Sequence, residues 1–285
     1  MSPDLVSVTL RAAAFVALFQ AAGITLFIAI FDARLTNTAA GIRRMGVATA
    51  MAGMVLLLAH QMFEPARLTG DFAGALDGDL QRLAFSTSGG TAYFAQVFGM
   101  LLVMLGLRRR DRRLVNASIG ALLAIIAFTT TGHTSTHAMR WLLAPLLALH
   151  LMIVAFWFGA LAPLLMVTAR ENPDDAAWIL RRFSAIAGWL VPGILVAGLA
   201  MAWVLIPDVA VLRRPYGLLL IAKLAGFGLL MVLAAANRWR LVPAFAAGTP
   251  TAATGLRRSI AIEYALIVVV LSVTAVLTTF YSFEL

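Results

Sequence analysis

Apolar residues in this chain come in long unbroken runs, not in strict alternation and not as a single helical stripe. Eight runs lie near residues 8–31, 45–63, 90–107, 114–132, 141–167, 184–206, 216–236 and 260–281. Each approaches the roughly 20 residues a helix needs to cross the hydrocarbon of a bilayer. Barrel strands would alternate in shorter segments, whereas helices satisfy their own backbone hydrogen bonds in lipid. The pattern therefore predicts an all-α integral membrane protein with eight transmembrane helices. Two polar connections are longer than the rest. Residues 64–89 carry Phe72, Leu76, Leu80 and Leu83 at helical spacing, which predicts a short amphipathic surface helix. Residues 237–259 contain Pro243, Gly248, Pro250 and Gly255 and read as a loop.

Composition supports the membrane assignment and adds orientation. The chain is 62% hydrophobic and 12% charged, with a mean hydropathy of +0.93, far from soluble averages. The connections after the first, third, fifth and seventh segments hold fifteen cations: Arg34, Arg43, Arg44, Arg108, Arg109, Arg110, Arg112, Arg113, Arg170, Arg181, Arg182, Arg238, Arg240, Arg257 and Arg258. The alternate connections hold five, Arg67, Arg82, Arg140, Arg213 and Arg214, and the first of these is made acidic by Asp71, Asp77 and Asp79. The positive-inside rule then places the fifteen in the cytoplasm and both termini outside, on the periplasmic side. The net charge of +9 is accounted for by topology, since its cations sit in short juxtamembrane loops and not on a nucleic-acid-binding face. The first segment, with Arg11 inside it and no small-residue cleavage site, reads as a retained helix.

A weak internal similarity relates the first four segments to the last four. The third and seventh segments both open on an aromatic residue, Tyr93 and Tyr216, and both run into basic ends. On this reading one membrane domain is built from two four-helix units, residues 1–132 and 133–285, in parallel arrangement.

The topology brings the chain's four histidines, His60, His133, His137 and His150, to the outer side. Ionisable groups in membrane segments are costly and mark functional sites. His60 precedes Glu64 by one turn on the same face, and His133 and His137 share the i, i+4 spacing if a helix continues past Gly132. His150 lies roughly 13 Å below the outer end of its segment, by helical rise. A metal site of His60, His133, His137 and His150 is the expectation, with imidazole suiting Cu, Zn, Fe and Ni alike. The chain has no Cys, so thiolate sites are excluded. Thioethers select Cu(I), and Met62, Met152, Met51, Met54, Met100 and Met104 form a candidate secondary path, although methionine is also an ordinary filler of apolar helices. Arg11, Glu64 and Lys223 are candidate gating or structural groups, and Glu263 is placed within reach of the basic inner connections as a structural ion pair.

Several short patterns occur in order: Gly132-His133, His150-Leu151, Phe156-Trp157-Phe158-Gly159-Ala160-Leu161, Arg182-Phe183-Ser184, Tyr216-Gly217, Lys223-Leu224, Asn237-Arg238 and Leu241-Val242-Pro243. Over about residues 133–245 the chain resembles the copper resistance protein D (CopD) family of bacterial inner-membrane proteins; the first hundred residues are similar in topology only. The resemblance implies eight membrane helices, copper, as Cu(I) or Cu(II), moved from periplasm to cytoplasm, and a periplasmic copper-binding partner of the CopC type. It carries His133 and His150 over as site residues. There is no GxxxxGK[ST] phosphate loop and no HExxH pair, which disfavours ATP drive and zinc-protease chemistry. Two rival readings stay open at this stage. One is a b-type cytochrome or copper redox enzyme with a bis-His site for haem b, and the other is a scaffold or sensor.

Overall fold

The computed structural model describes residues 2–108, 114–206 and 208–281, apart from the side chains of His133, Thr134 and Val209. Arg109, Arg110, Arg112 and Arg113, four of the cations used for orientation, lie outside the described residues. The elements are helical throughout: α1 (Pro3–Phe31), α2 (Ala39–Thr69), α3 (Gly78–Ser86), α4 (Ser88–Arg108), α5 (Leu114–Ile126), α6 (His133–Thr136), α7 (Arg140–Arg170), α8 (Pro173–Leu205), α9 (Pro215–Ala236), α10 (Val242–Ala246) and α11 (Ala252–Phe280). Among the described residues, seven helices are long and apolar enough to cross a membrane: α1, α2, α4, α7, α8, α9 with its continuation through α10, and α11. The remaining predicted segment, α5 with its 3₁₀ extension to Thr130, is a shorter apolar helix. This is a multi-pass helical membrane protein.

The first helix stands at the centre. It packs against α2, α5, α7 and α11, and a stretch from Ala14 to Ile24 is buried at almost every position. A helix buried on all sides has to be apolar all round, which its sequence satisfies. The tightest crossing joins α1 to α7. A Cβ on Gly23 would overlap the Ala155 carbonyl and Gly159, and one on Gly159 would overlap Gly23 in turn. Small residues permit this backbone approach, the usual basis of helix association where lipid removes the hydrophobic drive. At the same crossing Gln20 Nε2 donates to the Gly159 carbonyl at 2.9 Å. A second glycine crossing joins α4 to α5, through Gly99 against Gly120 and Gly106 against Ala117.

Two helices lie at the periphery. α9 buries only Gly217 and Leu230, and α8 turns Trp189 and Trp203 outward, the latter 88% exposed. Trp141 and Trp203 at one end and Trp239 at the other are exposed, in the positions of interfacial aromatic anchors.

Three local features differ from expectation or refine it. Residues 237–259 are mostly helical: a π-helical turn (Asn237–Leu241) continues α9 into α10, with Pro243 in the first turn, and only residues 247–251 separate α10 from α11. The Val242 N–H bonds back to the Asn237 carbonyl across the π turn, and Pro243 follows it at the start of α10. Gly248, at φ +74°, makes the turn. The 64–89 connection does hold a surface helix, α3, after a 3₁₀ turn from Phe72 to Leu76, with Leu76 and Leu83 exposed. Gly132 adopts φ +69°, a conformation that ends a helix cheaply only at glycine, so α6 is a separate single turn.

At the arginine-rich end, Glu171 ties the α1–α2 connection to the α7–α8 connection. It accepts from the hydroxyls of Thr36 and Thr38, at 2.5 and 2.7 Å, and from the backbone N–H groups of Asn37 and Thr38, at 2.9 and 3.1 Å. Burial pushes this carboxyl up, but the hydrogen bonds from Thr36, Thr38, Asn37 and Asn172 outweigh it and hold the carboxyl below its usual range.

Two predictions follow from these contacts. Gly23→Leu is expected to destabilise by more than the ~1–3 kcal/mol of ordinary overpacking, because backbone cannot move aside, whereas Gly228→Ala, with open space around it, is expected to be neutral or better; thermal unfolding in detergent compares them. The depressed Glu171 carboxyl adds stability that is fully present above its unfolded pKa and lost as pH falls through the folded one. Glu171→Gln is expected to unfold at lower temperature at neutral pH and to show a shallower loss on acidification, read from melting curves across that range.

Candidate functional site

The arginine-poor ends of α1, α2, α4 and α5 enclose a cavity of about 290 Å³. Its polar lining comes from Arg11, His60, Gln61, Glu64, Arg67, Tyr93 and Gln96, and Phe128 and Thr131 close one side. His60 is 1% exposed. Its Nδ1 meets the Tyr93 hydroxyl at 2.5 Å and its Nε2 meets Ser7 Oγ at 3.4 Å and Glu64 Oε1 at 3.5 Å. Ser7 also donates to Glu64 Oε1 at 3.1 Å. The other carboxylate oxygen of Glu64 faces Arg67 Nη2 at 3.1 Å. Glu64 therefore meets the imidazole through Oε1 and the Arg67 guanidinium through both oxygens, the Arg67 Nε donating to each at 3.3 Å. The i, i+4 spacing of His60 and Glu64 produces this pairing, as read from the sequence.

Arg11 supplies a second cation at the cavity. Its Nη1 donates to the Thr278 carbonyl at 3.0 Å and the Thr279 hydroxyl at 3.3 Å on α11, an arrangement that satisfies the last turn of that helix. The guanidinium also sits over the Phe15 ring, 5.8 Å from its centre. Arg11 is thus an interhelical clamp as well as a cavity wall.

The other histidines lie elsewhere. His150 packs between α7 and α8, its Nδ1 3.1 Å from the Ile194 carbonyl, and Lys223 of α9 is close enough to act on it electrostatically. His137 lies on the link into α7, where its Nδ1 accepts the Met139 N–H at 3.0 Å. The His133 side chain lies outside the described residues. Among the described residues no group of three or more His, Asp and Glu side chains is close enough to hold a metal. Met51 and Met62 face outward, Met100 is buried in the core, and Met54, Met104 and Met152 pack against that core. Glu263 is 3% exposed and makes no ion pair with the basic connections among the described residues; it accepts from Asn237 Nδ2 at 2.6 Å.

Sequence reasoning passed over Ser7, Tyr93, Gln61, Gln96 and Gln20. The available signal was the presence of uncharged polar side chains inside apolar runs, which need partners in lipid as charged ones do. Arg67 had been read only as a topological cation.

A family model described as "Copper resistance protein D-like, N-terminal domain" matches residues 1–139, and one described as "Copper resistance protein D" matches residues 177–277. The chain belongs to the copper resistance protein D family. It is 28% identical to Copper resistance protein D of Pseudomonas syringae pv. tomato, over 97% of this chain and 96% of that one. It is 27% identical to Copper transport protein CutJ of Bacillus subtilis (strain 168), over 81% of this chain and 44% of CutJ. Inner membrane protein YebZ of Escherichia coli (strain K12) is 31% identical over 48% of each chain. The chain thus spans less than half the length of CutJ and about half that of YebZ. No solved structure matches it significantly. These relatives tie this membrane protein to copper. The similarity also reaches further than residues 133–245, since the N-terminal half, with the His60 cavity, has a matching family model of its own.

Proposed function

We propose that this protein moves copper across the bacterial inner membrane, from periplasm to cytoplasm, and that the ion is captured in the outer cavity at His60. The observation that carries the reading is the paired environment of that imidazole. With Nδ1–H given to the Tyr93 oxygen, Nε2 turns its lone pair into the cavity beside Glu64 Oε1 and Ser7 Oγ. An outer partner that fixes the ring and its tautomer is the usual support of a metal-binding histidine. The matches to copper resistance protein D and to the copper transport protein CutJ support copper as the cargo, and YebZ supports the inner membrane.

The flanking charges suit passage better than storage. Arg67 holds both oxygens of Glu64, and Arg11 lies at the same cavity, so an arriving cation meets one imidazole and an already paired carboxylate against two guanidiniums. Binding that is sufficient to enter and weak enough to leave is what conduction requires. The membrane potential then supplies about 2.3 kcal/mol per charge per 100 mV for inward movement. His137, on the link between α5 and α7, offers the ion or a CopC-type periplasmic carrier an imidazole before the cavity, and His133 stays a candidate from the sequence alone. His150, beside the Lys223 charge, serves a later contact.

Uptake by reconstituted vesicles with a copper(I) chelator inside tests this. His60→Ala is expected to slow uptake at least roughly tenfold and Tyr93→Phe by about tenfold, the scale on which ligands and their orienting partners act, with His137→Ala slowed less than His60→Ala. Uptake by His60→Ala at the wild-type rate, or faster efflux than uptake in wild type, would overturn the reading.

A further inference from the structure

The His60 cavity carries more positive charge than its acid can answer. Its charged lining is Arg11, Arg67 and Glu64, two cations and one anion. Glu64 is taken by Arg67, whose Nε reaches both carboxylate oxygens at 3.3 Å and whose Nη2 reaches Oε2 at 3.1 Å. Arg11 has no carboxylate. Its Nη1 goes to the Thr278 carbonyl and the Thr279 hydroxyl, both uncharged, and its buried Nε has no partner. A guanidinium offers five N–H donors and stays charged throughout the accessible pH range. Arg11 therefore leaves both donors and charge unanswered at the cavity wall.

Other donors converge there. Gln61 and Gln96 are 3% and 4% exposed, both line the cavity, and neither amide makes a hydrogen bond among the described residues. Buried amides without protein partners are rare and call for a ligand or water. The 21-residue helix α4 starts at the same wall: Thr87 and Gly89 line the cavity, and Thr87 Oγ1 accepts the Gly90 N–H at 3.2 Å. The leading N–H groups of a helix lack intrahelical acceptors and form the positive end of its dipole, which favours an anion. Against these donors stand the His60 Nε2 lone pair and a carboxylate that is already engaged. At about 290 Å³ the cavity is several times the roughly 30 Å³ that one water occupies in the liquid, so a metal ion has room there for a companion.

We propose that the His60 cavity takes copper(I) together with a small anion of the halide class, the metal on His60 Nε2 and the anion among the donors of Arg11, Gln61, Gln96 and the first turn of α4. Coordination is the only bond made, and no electron moves. The pair is neutral, so the copper does not face two guanidiniums as a bare charge, and the anion supplies the acceptor that Arg11 lacks. Chloride is the abundant member of the class. This inference rests on the copper-transport reading above and names the form in which the ion occupies its capture site.

The test reads the anion directly. Purified protein, in excess over copper(I), is loaded in bromide and in nitrate at equal ionic strength, and X-ray absorption at the copper edge reports the neighbours of the metal. One bromide beside nitrogen is expected in the wild type. Arg11→Gln is expected to keep the nitrogen and lose the bromide. Because Arg11 also clamps α11, Arg67→Gln serves as a second variant: it frees Glu64, whose carboxylate is expected to displace the bromide. In a separate titration an excess of chelator fixes the copper(I) activity. Raising chloride tenfold there is expected to tighten wild-type copper binding by up to about tenfold, as mass action requires for one anion per copper, and to leave Arg67→Gln unchanged. Copper held by nitrogen alone in bromide, or binding that chloride leaves unchanged or weakens in the wild type, overturns the proposal while leaving copper capture at His60 standing. A bromide neighbour retained in His60→Ala also overturns it, by placing the pair elsewhere. No copper bound by the wild type in either salt overturns the copper reading itself.

Discussion

The close crossing of α1 and α7 at Gly23 and Gly159 is the constraint on which the rest of the molecule depends. It brings two backbones into contact and thereby fixes the depth and rotation of the central helix. Every polar group of interest is referred to that helix. Ser7 meets His60 and Arg11 lines the His60 cavity, while Thr9 and Gln20 line a cleft between α1, α2 and α11. A rotation of α1 of even one residue would withdraw Ser7 from His60 and Gln20 from the cleft together. In lipid, where apolar burial does not favour one helix face over another, such a crossing is held by packing and hydrogen bonds, and the bond from Gln20 to Gly159 sits in the middle of it.

Around that axis the protein solves the problem of charge in a membrane by pairing at the ends and neutrality within. At the arginine-poor end, His60, Glu64 and Arg67 share one chain of contacts, and Arg11 caps α11. At the arginine-rich end, Glu171 staples two connections with neutral donors. Between them the cleft carries hydroxyls, an amide and a phenol, with no charged side chain in its lining.

The membrane-spanning pattern was legible because apolar runs of bilayer length have few other uses, and the arginine asymmetry could be counted directly. The short span, α5, was the least secure, since Gly132 and the preceding 3₁₀ turn shorten it. The inner connection was misread as a loop because Pro243 and Gly248 look like breakers, although proline at a helix start and glycine just past a helix end are compatible with α10 between them. The pairing of His60 with Glu64 followed from spacing alone. Its bonds to Tyr93 and Ser7 did not, because they depend on which helices meet, and no periodicity encodes that. The same holds for Glu263: its position near basic connections invited an ion pair, while helix rotation gave it Asn237 and Trp157.

The central claim is that His60 in the outer cavity takes copper as cargo. Its most direct test is the metal content and absorption spectrum of the purified protein after copper loading, side by side with His60→Ala. The account predicts near-stoichiometric copper in the wild type, most of it lost in the variant, and no Soret band in either. Copper retained in full by the variant would contradict the assignment of the site, and a Soret band that the variant loses would make His60 a haem ligand.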